Sequence, residues 1–282
     1  DRYFFSTFTM SAKGRKEETI GKLNTLADSY ENWINRTLVC NTRMNSADFK
    51  EKIGNTVINR CQDALRRIRE GIRIIETDET SFEAFCFMNR VIFLQNSIKN
   101  YAKKHGAGVE CNFQDFINPR NADNNFGWRP FQIAFILMNL AGIVDPTNEE
   151  REIVDLLYFP TGGGKTEAYL GLMAFVIANR RLRADNYDGG VTVMLRYTLR
   201  LLTTQQRDRI TKMVVAAEMI RRQAYPRFGK EPISIGFWVG GGVTPNKFEE
   251  FVEKADRPQD ARSARNHIYK QLLTCPFWGK PL

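Results

Sequence analysis

The sequence predicts an α/β protein: a parallel sheet with helices on both faces over residues 126–282, preceded by a mainly helical region over residues 1–125. Three observations carry this expectation. Residues 55–104 place apolar side chains at three- and four-residue steps. After residue 125 short apolar runs alternate with longer helical patterns. Between the first such run and the helix after it lie three successive glycines, Gly162, Gly163 and Gly164.

Over residues 55–76 the positions Val57, Ile58, Cys61, Leu65, Ile68, Ile72 and Ile75 form one apolar stripe with Arg and Glu between them. Residues 82–104 repeat the pattern through Phe85, Met88, Ile92 and Ile98, and Gly106-Ala107-Gly108 ends it. Both stripes are core-facing. The polar run of residues 118–125 reads as a linker and as the boundary between two domains. Beyond it, residues 153–159, 191–195 and 233–239 are candidates for buried strands, and helices are expected over 165–183 and 203–223. Strands and helices alternating at this spacing imply a parallel sheet, incomplete within these residues.

Hydrophobic residues make up 43% of the chain and charged residues 26%, a globular composition. The longest apolar stretch, residues 134–144, is interrupted by Asn139 and falls short of the roughly 20 residues a bilayer requires, so no membrane partner is expected. Cys40, Cys61, Cys86, Cys111 and Cys275 have no paired spacing and suit a reducing cytoplasm. His105 and His267 stand isolated, which excludes a histidine metal site. Cys275-Pro276-Phe277-Trp278 has the look of half a zinc knuckle with Trp278 in place of the second thiol, and one thiol does not hold zinc. The chain opens on Asp1 and closes on a turn-like Gly279-Lys280-Pro281-Leu282, so a longer parent is expected. Residues 176–230 hold 12 Lys or Arg against four Asp or Glu, nearly all of the net charge of +9. Such a concentration suits either a solvated helix face or a nucleic-acid track.

The chemistry centres on Phe159-Pro160-Thr161-Gly162-Gly163-Gly164-Lys165-Thr166, followed by Glu167. Adjacent glycines let the backbone wrap closely, so that successive N–H groups point at phosphate oxygens. A helix opening at Lys165 adds its positive end. The Lys165 ammonium would reach the β- and γ-phosphates of ATP and the Thr166 hydroxyl would bind Mg²⁺, making these two the catalytic candidates. Upstream lies Trp128-Arg129-Pro130-Phe131-Gln132. An amide that donates and accepts at once matches the edge of adenine, and Phe131 could stack on its face.

Downstream, Arg196, Thr198, Arg200 and Gln205 follow a strand candidate, where hydroxyls, guanidinium groups and helix-start N–H groups can grip a DNA backbone without reading bases. Gly240, Gly241 and Thr244 end the third candidate strand, where backbone could again approach a phosphate or simply turn.

The Pro160 to Thr166 loop, where Phe159 replaces the glycine of the general phosphate loop, resembles that of superfamily 2 helicases. So does the Arg-Pro-aromatic-Gln element before it, which in that superfamily reads adenine. Residues 196–206 resemble its first strand-gripping motif, although Arg196-Tyr197 stand where a proline is usual. Phe85-Cys86-Phe87-Met88-Asn89-Arg90 and residues 128–140, 155–172, 196–206 and 236–246 are more closely similar to the helicase component of the DISARM bacterial anti-phage system. The resemblance covers most of the chain from about residue 80 onward. It implies a RecA-like lobe, a cytoplasmic DNA motor, a helicase-associated partner protein and, in the wider system, a DNA methyltransferase.

Such an ATPase also needs an Asp-Glu pair at a later strand end and an arginine finger from a second lobe. Neither follows Thr166, and Asp78-Glu79 sits in a polar turn before the loop. This stretch alone is therefore expected to bind nucleotide and turn it over poorly. The expected function is an ATP-dependent DNA helicase or translocase in phage defence. The alternatives are the motor subunit of a restriction enzyme and a nucleotide-binding DNA scaffold without robust turnover.

Overall fold

The computed structural model describes residues 4–39, 47–118, 126–158, 160, 162–184, 189–196, 200–237, 247–249, 272 and 274–282. They are mainly helical. Helices α1 (Thr7–Met10) and α2 (Lys16–Trp33) lead into the long α3 (Ala47–Thr77) and α4 (Glu79–Gly106). Then follow α5 (Phe113–Ile117), α6 (Pro130–Val144), α7 (Lys165–Arg183), α8 (Arg200–Gln223) and α9 (Tyr225–Phe228).

The centre of the molecule is α4. Asp78 caps it by accepting the Thr80 N–H at 3.0 Å, and Lys103, Lys104 and His105 sit in its last turn, where the helix dipole favours cations. Apolar residues lie on nearly every side of it, and Phe85, Met88, Ile92, Phe93 and Ile98 are fully buried. A helix apolar all round must be covered all round. Accordingly α4 packs against α1, α3, α5, α7 and α8. The core therefore runs across residues 118–125, with Phe85 and Ile92 on one side joined to Ile133, Phe175 and Met213 on the other.

The expected RecA-like parallel sheet is not there. Among the described residues there is no strand, only the isolated bridges Ser6–Gly127 and Thr274–Pro281. The described parts of the three strand candidates, 153–158, 191–195 and 233–237, run without ladder partners. The physical reason is that α4, α7 and α8 pack directly on one another and close the core the sheet was to supply. Val154 and Tyr158 are consequently 93% and 90% exposed. A short apolar run says that chain is apolar and unsuited to a long helix. It does not say that its N–H and C=O groups find a partner strand.

Polar anchors hold these irregular segments to the helices. The guanidinium of Arg67, on α3, is buried and grips both Asp155 oxygens at 2.7 Å, Glu150 at 3.2 Å and the Met138 carbonyl at 3.1 Å. At the other end of the core Arg181 donates to the carbonyls of Phe228 and Glu231, each at 2.8 Å. Glu218 receives Arg221 at 2.7 Å and the Ile233 N–H at 3.0 Å, and these donors, Arg221 foremost, bring its carboxyl down to about 2. Asp78 accepts Arg183 as well as the α4 cap, a structural use for one half of the Asp78-Glu79 pair. No helix among the described residues is long and apolar enough to cross a membrane.

Trp128 fixes where α6 begins. It is 4% exposed, and its indole N–H donates to Asn89 Oδ1 on α4 at 2.8 Å. Its ring lies so close to α7 that a Cβ on Gly171 would stand 2.5 Å from Cη2 and 3.1 Å from the Ile136 methyl. Gly171→Ala should therefore lower stability by about 1–3 kcal/mol, the usual cost of overfilling a packed core. The check is the denaturant midpoint at unchanged slope, and a midpoint equal to wild type would show that the indole has room to move.

Candidate phosphate-binding site

The site forms where the start of α6 meets the start of α7. Pro130 occupies the first turn of α6, where its missing N–H leaves no carbonyl unserved and its fixed φ suits the helix. Gln132 reaches back so that its Oε1 accepts the Arg129 N–H at 2.8 Å. Its Nε2 donates to the Gly164 carbonyl at 2.8 Å, and Arg129 Nη1 donates to the Gly163 carbonyl at 2.7 Å. Two consecutive carbonyls of the glycine loop are thus held by α6.

This determines which way the loop's amides face. In a trans peptide the C=O and N–H point in opposite directions. Holding the Gly163 and Gly164 carbonyls against α6 turns the Gly164 and Lys165 N–H groups away from it. The backbone permits this because Gly162 and Gly164 adopt φ of +81° and +90°, a region other residues avoid. The Gly163 N–H closes a turn on the Pro160 carbonyl at 3.1 Å. At φ +90° any other residue in place of Gly164 would be strained, and its Cβ would stand 2.7 Å from Gln132 Nε2 and push that amide aside.

Lys165 and Thr166 open α7, whose N-cap residue is Gly164 and so supplies no side-chain cap. Its first N–H groups have no carbonyl within the helix, which leaves a partial positive charge facing the cradle. From α8, Gln206 Nε2 approaches Thr166 Oγ1 at 3.4 Å and Arg209 approaches Glu167 at 3.5 Å. Outward amides, a cradle that a Cβ would fill, a lysine and a hydroxyl together fit a phosphate chain with its magnesium. Among the described residues no three His, Cys, Asp or Glu side chains cluster to hold a metal by themselves.

The structure therefore brings together Arg129, Gln132, Gly162, Gly163, Gly164, Lys165, Thr166 and Glu167. Gln132 is 2% exposed with its amide engaged at both ends, on the loop and on its own helix start. Phe131 is half-buried beside it, and Pro160 is exposed at the head of the loop. Thr161, Thr198, Gly240, Gly241 and Thr244 lie outside the described residues, as do the side chains of Arg200 and Gln205. Arg196 is exposed.

The basic segment has internal partners. Arg180 donates to the Gly189 and Val191 carbonyls, Arg183 pairs with Asp78, Arg209 with Glu167, Arg221 and Arg222 with Glu218, and Arg227 with Glu83. Much of the charge excess thus anchors loops and helix ends.

Sequence reasoning missed Gln206, Arg209 and Asn89 as contributors. Gln206 and Arg209 lie three residues apart on a helix and so share a face, a signal that was present in the spacing. Nothing in the sequence marks Asn89 as the partner of Trp128.

No protein-family model matches this chain. Over 286 aligned residues it is 43% identical to DISARM protein DrmA of Bacillus paralicheniformis, covering 98% of this chain and 24% of that protein. The chain spans about a quarter of the length of the curated relative it matches. Nearly all of this chain, then, is similar to one portion of a much longer DISARM protein.

Proposed function

We propose that this chain binds ATP with magnesium and belongs to an ATP-driven DNA helicase or translocase of the DISARM anti-phage system. The observation that carries the nucleotide reading is the pair of carbonyl contacts from Arg129 and Gln132, which turn the Gly164 and Lys165 amides outward at the open start of α7. The place in phage defence is supported by the 43% identity to a DISARM protein. In this reading the outward amides and the α7 start bind phosphate oxygens, and the Lys165 ammonium holds the β- and γ-phosphates. The Thr166 hydroxyl would hold magnesium, which would supply positive charge to offset that of the phosphates. Arg129 and Gln132 orient the loop. The motor activity, the DNA backbone contacts by Arg196, Thr198, Arg200 and Gln205, and a helicase-associated partner protein belong to the same proposal for the whole, longer protein.

Lys165→Ala should abolish binding of a fluorescent ATP analogue, measured by anisotropy, without moving the melting temperature. Undiminished binding by that variant would remove the phosphate assignment. Gln132 supplies a sharper test, because its amide is engaged with backbone at both ends. Gln132→Ala should weaken ATP and GTP binding by the same factor, since it loosens the phosphate cradle beneath either base. A titration in which only ATP suffers would instead make Gln132 the reader of adenine.

A further inference from the structure

One contact at this site is incomplete as it stands. Gln206, on the first turns of α8, donates from Nε2 to the Thr166 hydroxyl at 3.4 Å, the long end of the range for such a bond. The other end of the same amide, Oε1, is buried and has no hydrogen-bond partner among the described residues. A buried acceptor left unpaired is costly, and native structures retain such groups where something is to bind or move. The amide sits against the one side chain assigned to the metal.

We propose that Gln206 is the positioning residue for the magnesium ligand, accepting the Thr166 hydroxyl proton through Oε1 whenever that hydroxyl ligates the ion. The inference rests on the nucleotide reading above and deepens it. A threonine hydroxyl has one proton to donate and two lone pairs to accept with. In the structure Nε2 donates to one of those lone pairs. A hydroxyl that gave a lone pair to a metal would have its O–H bond polarised and would require an acceptor for its proton. Rotation of the Gln206 amide by half a turn puts Oε1 where Nε2 stood. The long Nε2 contact is exchanged for an O–H to Oε1 bond, Nε2 turns into the place Oε1 leaves, and the hydroxyl is aimed with its oxygen toward the ion. Arg209, one turn further along α8, steadies the arrangement from the same face through Glu167 at 3.5 Å.

The experiment is equilibrium binding of a fluorescent, non-hydrolysable ATP analogue to the full chain, in EDTA and across a magnesium titration. Wild type, Gln206→Leu and Gln206→Glu are compared, with Gln206→Met in place of the leucine variant if that one melts at a lower temperature. Outer ligand partners typically contribute 10–100-fold to metal affinity, so Gln206→Leu should raise the half-saturating magnesium concentration by about tenfold or more. Affinity in EDTA should stay as in wild type. Gln206→Glu keeps an acceptor and loses the donor, and it should retain the wild-type magnesium dependence or strengthen it. If glutamate costs as much as leucine, the donor is what matters and the proposal is overturned. It is overturned equally if leucine leaves the magnesium titration unchanged. A wild-type chain that binds the analogue in neither condition would overturn the nucleotide reading itself, and this inference with it.

Discussion

The hydrogen bond from the Trp128 indole to Asn89, inside the apolar core, is the constraint on which the arrangement of the site depends. It ties α4 to Trp128, two residues before the start of α6. Asn89 is itself braced, since its Nδ2 donates to the Phe85 carbonyl at 2.8 Å. Both polar groups are buried, so either one left alone would cost about 1–3 kcal/mol. The ring also lies against Gly171 of α7, where an added Cβ would meet both the indole and the Ile136 methyl of α6, and it stands edge-on to Phe126. Trp128 thus helps set the spacing between the helix that grips the glycine loop and the helix that grows out of it, together with the Phe135–Tyr169 ring contact. Arg129 and Gln132 follow directly, and they reach the Gly163 and Gly164 carbonyls at 2.7 and 2.8 Å.

Two uses of arginine divide the rest of the molecule. On one side Arg67 is buried and must be paired, because an isolated charge taken from water is prohibitively costly. Asp155, Glu150 and a carbonyl meet that need and bind the chain after α6 to α3. On the other, Arg181 and Arg221 satisfy carbonyls between residues 228 and 232 that no regular structure serves. Among the described residues, which form no sheet, guanidinium forks do for irregular chain what a ladder would otherwise do. This explains why a segment so rich in arginine need not present all of its charge to a partner.

How much of this was legible in the sequence differs from element to element, for physical reasons. The helices were visible because burial on one face imposes a 3.6-residue period, and α7 and the end of α8 fall where the pattern puts them. The loop was visible because φ near +90° requires glycine and because Lys165 and Thr166 follow at fixed spacing. The sheet was expected wrongly: residues 153–158 and 191–195 have strand composition, but pairing is a property of neighbours, and the neighbours are helices. The attachment of Gln132 was illegible for the same reason, since a glutamine amide fits a base edge or a peptide carbonyl equally well. Its 2.8 Å contact with Gly164 depends on the approach of α6 and α7, which Trp128 and the Phe135–Tyr169 ring contact both support.

The central claim is that α6 holds the loop's carbonyls so that its amides face a phosphate. A crystal structure of the chain with a non-hydrolysable ATP analogue and magnesium tests it most directly. The account predicts phosphate oxygens within hydrogen-bond distance of the Gly164 and Lys165 amides, with the Gly163 and Gly164 carbonyls still on Arg129 and Gln132. A nucleotide bound elsewhere, or a loop whose carbonyls have turned away from α6 to admit it, would contradict the account.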